Sequence, residues 1–472
     1  MIKNKNNFIF SILFFILLIS IKLISFPFFK YHPEDKDKFK SFFHENFDGY
    51  KYFSEFIGFP KILISPHANY NFSGKVAARA FNLLKDRYRL VIILGPPHHE
   101  YFRGFAIYRG DYLLSPFGKI MIAKKEALML NKKVRGTFLD KRLFEKEHSI
   151  NIQTPYIQAV LKHTKILPII MGDTKKRELD ILSKYLEKLT KRNNTLIIVS
   201  TDLSHYHKLK TAKEIDSKTI KELEKKRPEQ FLRLKKMGII EACGWRALYI
   251  GLKIAKKEKL YFIPVSRGYS SDFDGNTNRV VGYFSGIFYK EEKLKISKDD
   301  KEKIIEIVKA SIQKREPFEM NFEKSPLLRK RFGVFITLRK NRVFRGCMGA
   351  LAPKTPLFLT LKEIAYESAY SDKRFKPLQK EEIRELSVKV SLTYNLRQFY
   401  NYKNIKIGKD SILIIKGNRR GGLLPEIPLM YHWSKKELLK NTCIKTRLKK
   451  KCYKDKNVKI YKFNTYEIKF RF

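Results

Sequence analysis

Histidine is scarce in this chain, 10 in 472 residues, and it is unevenly spread. His67, His98, His99, His148, His205 and His207 all fall at the exits of short apolar runs or in an adjoining turn. The strings are SPH at 65–67, GPPHH at 95–99, EHSI at 147–150 and STDLSHYH at 200–207. Neutral imidazole is a common metal ligand, and thiolate binds zinc, iron or copper strongly. A single histidine of this kind is ordinarily a hydrogen-bonded structural residue. The grouping of six is what points to a shared site.

The elements that must position these groups are legible from periodicity. Residues 61–65, 90–95, 166–171, 195–200 and 261–265 are short and rich in Ile, Leu and Val, as strands buried on both faces are. Between them, residues 74–84, 150–162, 176–189, 212–225 and 239–256 carry helical spacing. This alternation predicts an α/β domain with a central, mostly parallel sheet. In such sheets the carboxyl ends of the strands line one crevice, so polar exits far apart in sequence can meet there.

The residues at these exits fall in an ordered series of motifs: SPHANYNFSG at 65–74, LGPPHH at 94–99, EHSINIQTPY at 147–156, STDLSHY at 200–206, EACGW at 241–245 and RVVGY at 279–283. Over residues 55–290 the chain resembles the Memo family, which is similar in fold to the extradiol dioxygenases that use non-haem iron. The resemblance implies one metal ion held by His67, His98 and Cys243, bordered by Asp202 and His205. His148 and His99 are further candidates for the same crevice. Such a ligand set is like a facial triad with thiolate in place of carboxylate, which leaves open positions. Iron is preferred on ligand grounds, with copper or zinc as alternatives. The thiolate donates more electron density and can be oxidised, so a dioxygenase reaction does not follow automatically. Asp202 and His205 would orient a ligand or move a proton. A blander reading makes Cys243 a small core residue on the helix at 239–256. The sequence departs from the family at Asn69, where Gly is usual, and in lacking the usual N-terminal motif.

A Lys/Glu/Asp-rich stretch at 290–303 marks a boundary. Beyond it lie GVFITL at 333–338, RGCMG at 345–349, SAYSDKRFKPL at 368–378, VKVSL at 388–392 and GGLLPEIP at 421–428. In this order they resemble the AMMECR family over residues 298–472, an α+β domain with no established reaction. Within it, Arg345 and Cys347 form a candidate site, Cys347 as nucleophile and Arg345 as anion holder. The alternative is a tight structural turn that packs Cys347 inward.

Memo-like and AMMECR-like proteins are grouped with a radical-SAM enzyme in the AmmeMemoRadiSam system, and this chain looks like components B and A fused. It has no CxxxCxxC motif, so a separate radical-SAM protein is the expected partner. The leading reading is a metal-binding redox protein. Its rival is a non-catalytic, membrane-tethered module that binds peptide, RNA or lipid through a basic surface.

Composition bounds these readings. The charge is +51, from 98 Lys plus Arg against 47 Asp plus Glu. The excess runs through both halves and accompanies abundant Ile, Phe, Tyr and Asn, as drift toward A/T-rich codons would produce; nucleic-acid binding is therefore possible but not favoured. Residues 8–29 are apolar apart from Lys22 and a few Ser, and reach the roughly 20 residues a bilayer requires. They predict an uncleaved single-pass anchor in the cell membrane, of open orientation. The four cysteines are too sparse for a disulfide framework and are expected to be free, with Cys443 and Cys452 able to pair only if exported. The expected organisation is a membrane segment at 1–30, a Memo-like domain at 31–290, a charged linker at 291–300 and an AMMECR-like domain at 301–472.

Overall fold

The computed structural model describes residues 37, 41–42, 45, 57–314, 325–351, 353–398, 405–455 and 457–472. They divide into two compact units, Phe59–Glu291 and Glu292–Phe472, with residues 57–58 grouped with the second.

The first unit is built on β1 (Gly58–Ser65), β2 (Leu90–Gly95), β3 (Phe105–Tyr108), β4 (Tyr112–Ser115), β5 (Gly118–Met121), β6 (Thr137–Asp140), β7 (Lys165–Met171), β8 (Thr195–Ser200), β9 (His205–His207), β10 (Tyr261–Tyr269) and β11 (Val280–Glu291). All but the β4–β5 hairpin belong to one sheet, in the order β10-β11-β1-β8-β2-β7-β3-β6, with β9 on β11. The centre, β1-β8-β2-β7, is parallel. Every residue of β1, β2 and β8 is buried, as the unbroken Ile/Leu/Val runs require of strands covered on both faces.

Toward the margins the sheet turns. β3 runs antiparallel to β7, and β10 antiparallel to β11. The sheet is therefore mixed, where a mostly parallel one was expected. The β10–β11 reversal follows from its connection, since residues 270–279 are too few for the helical crossover that a parallel neighbour needs.

Helices cover the faces: α1 (Lys75–Phe81), α2 (Lys124–Lys133), α3 (His148–Asn151), α4 (Thr154–Val160), α5 (Lys176–Thr190), α6 (Leu209–Lys225), α7 (Pro228–Lys236) and α8 (Trp245–Lys257). On α5, Leu179, Leu182 and Leu186 recur at helical spacing and are buried. Each contributes about 1.5–3 kcal/mol relative to exposure. On α8, Gly251 faces the sheet, its Cβ position 3.5 Å from Val199 and 3.6 Å from Ile62.

The second unit is a six-stranded sheet: β12 (Gly333–Lys340), β13 (Val343–Ala350), β14 (Leu386–Gln398), β15 (Ser411–Lys416), β16 (Arg419–Leu423) and β17 (Lys459–Arg471), in the order β13-β12-β14-β17-β15-β16. Its pairs are antiparallel. Two helices, Lys298–Ile312 and Leu357–Tyr370, bury Ile304, Ile307, Leu361 and Ile364 in a core shared with Val334, Ile336 and Val390.

The expectations of an N-terminal transmembrane helix and of a cell-membrane location are corrected. No helix among the described residues is long and apolar enough to cross a membrane. The longest, α6, has 17 residues and carries Lys, Glu and Asp along its length, short of the roughly 20 apolar residues a bilayer needs. Residues 8–29 lie outside the described residues.

The expectation of free cysteines is also corrected in part. Cys443 and Cys452 are disulfide-bonded, with Cα atoms 5.8 Å apart. Cys443 lies in the last turn of the helix Lys435–Lys445, and Arg447, at φ +57°, turns the chain back so that Cys452 meets it. Cys243 and Cys347 are free thiols.

Candidate metal centre

Strand order explains why distant motifs meet. β1, β8, β2 and β7 are neighbours, and parallel register brings Ser65 beside Ser200 and Gly95 beside Ile170. The chain segments leaving these strands carry His67, Asp202, His98 and Asp173.

His67 is buried, 1% exposed, and is gripped on two sides. Its N–H donates to Asp202 Oδ1 at 2.9 Å, and its Nδ1 lies 2.9 Å from Ser200 Oγ. Ser200 donates its own hydroxyl proton to the Ser149 carbonyl at 2.5 Å and accepts from Gln153 Nε2 at 2.9 Å. The serine therefore has only a lone pair to offer His67. This assigns the proton to Nδ1 and leaves the Nε2 lone pair free. That Nε2 faces Cys243 Sγ at 3.3 Å.

His98 is oriented by Glu147 in the same manner. Glu147 Oε1 accepts from His98 Nδ1 at 2.9 Å and from Ser149 N–H at 2.8 Å, and Oε2 accepts from His98 N–H at 2.6 Å. The Nε2 of His98 is again the free nitrogen. Burial pushes the Glu147 carboxyl up, but these bonds outweigh it and hold it below its ordinary value. A carboxylate fixing the far nitrogen of an imidazole is the usual arrangement behind a metal-ligating histidine.

Cys243 stands in a loop, not on the helix expected at 239–256; α8 begins at Trp245. The loop is stitched to the β8 exit by Cys243 N–H to the Asp202 carbonyl at 3.2 Å and Gly244 N–H to Thr201 Oγ1 at 2.9 Å. A Cβ on Gly244 would come within 2.5 Å of the Ser200 carbonyl, so only glycine fits. The sulfur accepts Asp202 N–H at 3.1 Å. Burial and the Asp202 carboxylate push the thiol up to about 12.

His67, His98 and Cys243 each present a donor atom within 4.8 Å of the others. Two donors held at about 2.0–2.3 Å from one ion would show a separation near the 3.3 Å seen between Cys243 Sγ and His67 Nε2. The donor set fits a borderline-soft ion such as iron, copper or zinc. His67 is held well below the usual imidazole range by burial and by His98, His148 and His205, so it is neutral and able to ligate.

Of the remaining expected residues, Asp202 is at the centre, with Oδ2 4.0 Å from His67 Nε2. Burial raises its carboxyl. His148 lies with its ring 4.3 Å from that of His98, depressed to about 4 by burial and by His98. His205 is less tightly joined: its Nδ1 bonds the Leu203 carbonyl at 2.9 Å and its N–H reaches Glu241 Oε2 at 3.4 Å. His99 is exposed, its ring edge-on to that of His148 at 6.0 Å. Glu147, Ser200 and Gln153 were not singled out from the sequence. The adjacency of Glu147 to His148 was the one available signal, and it pointed to the wrong histidine.

The RVVGY segment has a structural part to play. Leu203 N–H donates to the Gly282 carbonyl and Gly282 N–H to the Ser204 carbonyl, both at 2.8 Å, which fixes the β8 exit. A Cβ at Gly282 would lie 2.0 Å from Asp216 Oδ2.

In the second unit, Arg345 and Cys347 lie on β13, not in a turn, because residues 343–350 pair in register with β12. Arg345 is committed to Glu382 by two bonds, at 3.1 and 2.9 Å, and holds that carboxyl down to about 2. It is thus a structural ion pair rather than a free anion holder. Cys347 accepts from Thr337 Oγ1 at 3.4 Å, and its N–H donates to Asp372 Oδ2 at 2.9 Å. Among the described residues no histidine contacts it.

The first unit is thus an α/β domain that gathers two imidazoles and a thiol at the strand ends. The family model described as Memo-like protein matches residues 30–287, and the model described as AMMECR1 matches residues 303–468. The chain belongs to the Memo-like protein family and carries an AMMECR1 domain after the Memo-like one. It is similar to a MEMO1 family protein of Thermotoga neapolitana, 30% identical over 231 residues, 48% of this chain and 82% of the relative. A MEMO1 family protein of Caldivirga maquilingensis is 28% identical over 237 residues, 48% of this chain and 83% of the relative. A solved structure of an uncharacterized Pyrococcus horikoshii protein is 30% identical, covering 37% of this chain and 94% of its own, with a TM-score of 0.35.

Proposed function

We propose that the Memo-like domain holds one metal ion, iron in preference to copper or zinc, between His67, His98 and Cys243, and that the chain is a metal-dependent redox protein. The observation that carries this reading is the convergence of the three donors, each imidazole with its far nitrogen engaged and its near nitrogen free. An ion held by three protein ligands would keep open positions and would supply Lewis acidity or, as iron or copper, electron transfer.

The chain's own residues supply the rest. Glu147 and Ser200 keep the two imidazoles in the tautomer that ligates. Asp202 spends Oδ1 on the His67 N–H, which leaves Oδ2 to hold or pass a proton at the crevice. His205 stands one loop away as a second group of that kind. A separate radical-SAM protein is the partner this reading implies, since the sequence has no CxxxCxxC motif of its own.

Elemental analysis of anaerobically purified protein tests the proposal. One metal per chain is expected, lost in Cys243→Ala and His67→Ala variants that keep the parent's circular dichroism. Metal content unchanged by both substitutions would overturn it, and salt-sensitive binding to RNA that survives both would favour the non-catalytic rival.

A further inference from the structure

A second cavity opens in the Memo-like unit where α5, α7 and the start of α8 meet, with a volume of about 670 Å³. Its apolar wall is made by Leu179, Leu232 and Trp245. Its rim is basic, with five cationic side chains and one carboxylate, Glu229. Glu229 is engaged by Lys253 at 3.7 Å, Lys176 by Asp180 at 2.7 Å, and Lys235 lies over the Trp245 ring at 5.5 Å. Lys175, Arg233 and Lys236 carry no ion pair among the described residues. Within the same lining, Thr174 Oγ1 is enclosed without a hydrogen-bond partner.

Volumes of roughly 300–1,000 Å³, apolar walls and a few convergent polar groups are the marks of a small-molecule site. Cations without partners at the mouth of an apolar slot select a ligand with the opposite character, a charge at one end and carbon at the other. We propose that this cleft binds a small amphipathic anion, an aromatic or aliphatic body bearing a carboxylate, sulfonate or phosphate. The body lies on Trp245 and the two leucines, and the charged end meets Arg233 and Lys236.

The cleft is tied to the candidate metal centre through the backbone. Trp245 follows Cys243 by two residues, and Gly244 between them is pressed against Ser200 and Thr201. Binding at the cleft does not require that an ion be held, so the proposal stands apart from the metal reading.

The test is a fluorescence titration of the full chain with 8-anilinonaphthalene-1-sulfonate, beside its uncharged analogue N-phenyl-1-naphthylamine. One saturable site per chain is expected, preferring the anion by about tenfold, the worth of one charge-assisted contact. An Arg233→Glu, Lys236→Glu double variant should weaken the anion about tenfold and leave the neutral probe within about twofold. Both positions are exposed, so an unchanged thermal transition is expected to accompany the loss. Reversing two cations of the second unit, Lys449→Glu with Lys450→Glu, is the control for overall charge. The proposal is overturned if that control weakens the anion equally, if the cleft variant binds it as the parent does, or if both probes bind alike.

Discussion

Replacing Glu147 by Gln keeps the side chain's shape and removes only its charge and one acceptor. The carboxylate accepts three N–H donors, the His98 ring, the His98 backbone and the Ser149 backbone, and it is 2% exposed, so water does not fill in for it. An amide turned with its NH₂ toward Oε2's position confronts the His98 backbone N–H. Turned the other way, it confronts the His98 ring proton and drives the ring to the tautomer with hydrogen on Nε2. In that state the free lone pair no longer faces Cys243 and His67. Loss of such an outer partner costs about 10–100-fold in metal affinity, or about 1.4–2.7 kcal/mol. Competition between the protein and a chelator of known affinity measures it directly, with circular dichroism to confirm that the fold is kept. Affinity within about twofold of the parent would refute the reasoning, because the carboxylate would then have no hold on the ligating nitrogen.

Gly244→Ala should force the Cys243 loop off the β8 exit, because the new methyl would overlap the Ser200 carbonyl; overpacking of this kind costs about 1–3 kcal/mol, read as a lower first-domain melting temperature together with weaker metal retention. Asp216 is fully buried, and burial raises its carboxyl from 3.8 to about 6, so its share of stability is complete below pH 4 and is lost as pH rises through 6. Between pH 5 and 7.5 the parent should lose about 1 kcal/mol more than Asp216→Asn, a difference in thermal midpoint of about 2–4 °C, and equal losses would contradict this. Reducing the Cys443–Cys452 bond, which closes a short loop and has both ends buried, should cost the AMMECR1 domain about 2–3 kcal/mol; an unchanged melting transition with dithiothreitol would show that the bridge carries no stability.

What could be seen in the sequence followed from local physics. The strands at 90–95 and 195–200 stand where their apolar runs lie, because a strand covered on both faces leaves no polar position to blur its ends. His67 and His98 were approachable for the same reason, since each follows a run that stops sharply, whereas Cys243 follows no strand and joined them only through the resemblance. Cys243 was placed on a helix because Ile239, Ile240 and Ala242 continue the apolar spacing of α8; what ends that helix at Trp245 is a pair of hydrogen bonds to Thr201 and Asp202, contacts some 40 residues away in sequence. The reversal of β3 against β7 joins strands separated by residues 109–164, and no local pattern records that. Cys347 was read as part of a turn because glycines flank it. Gly346 is small for another reason: a Cβ there would meet the Ser368 carbonyl at 2.3 Å, where a helix crosses β13. The disulfide was hidden because spacing alone does not give connectivity.

X-ray absorption at the metal edge, on protein loaded anaerobically with iron and again with zinc, bears most directly on the central claim. One sulfur at about 2.3 Å and two imidazole nitrogens at about 2.0–2.1 Å per ion are predicted, with the sulfur lost in Cys243→Ser. An ion surrounded only by oxygen and nitrogen in the parent protein would contradict it.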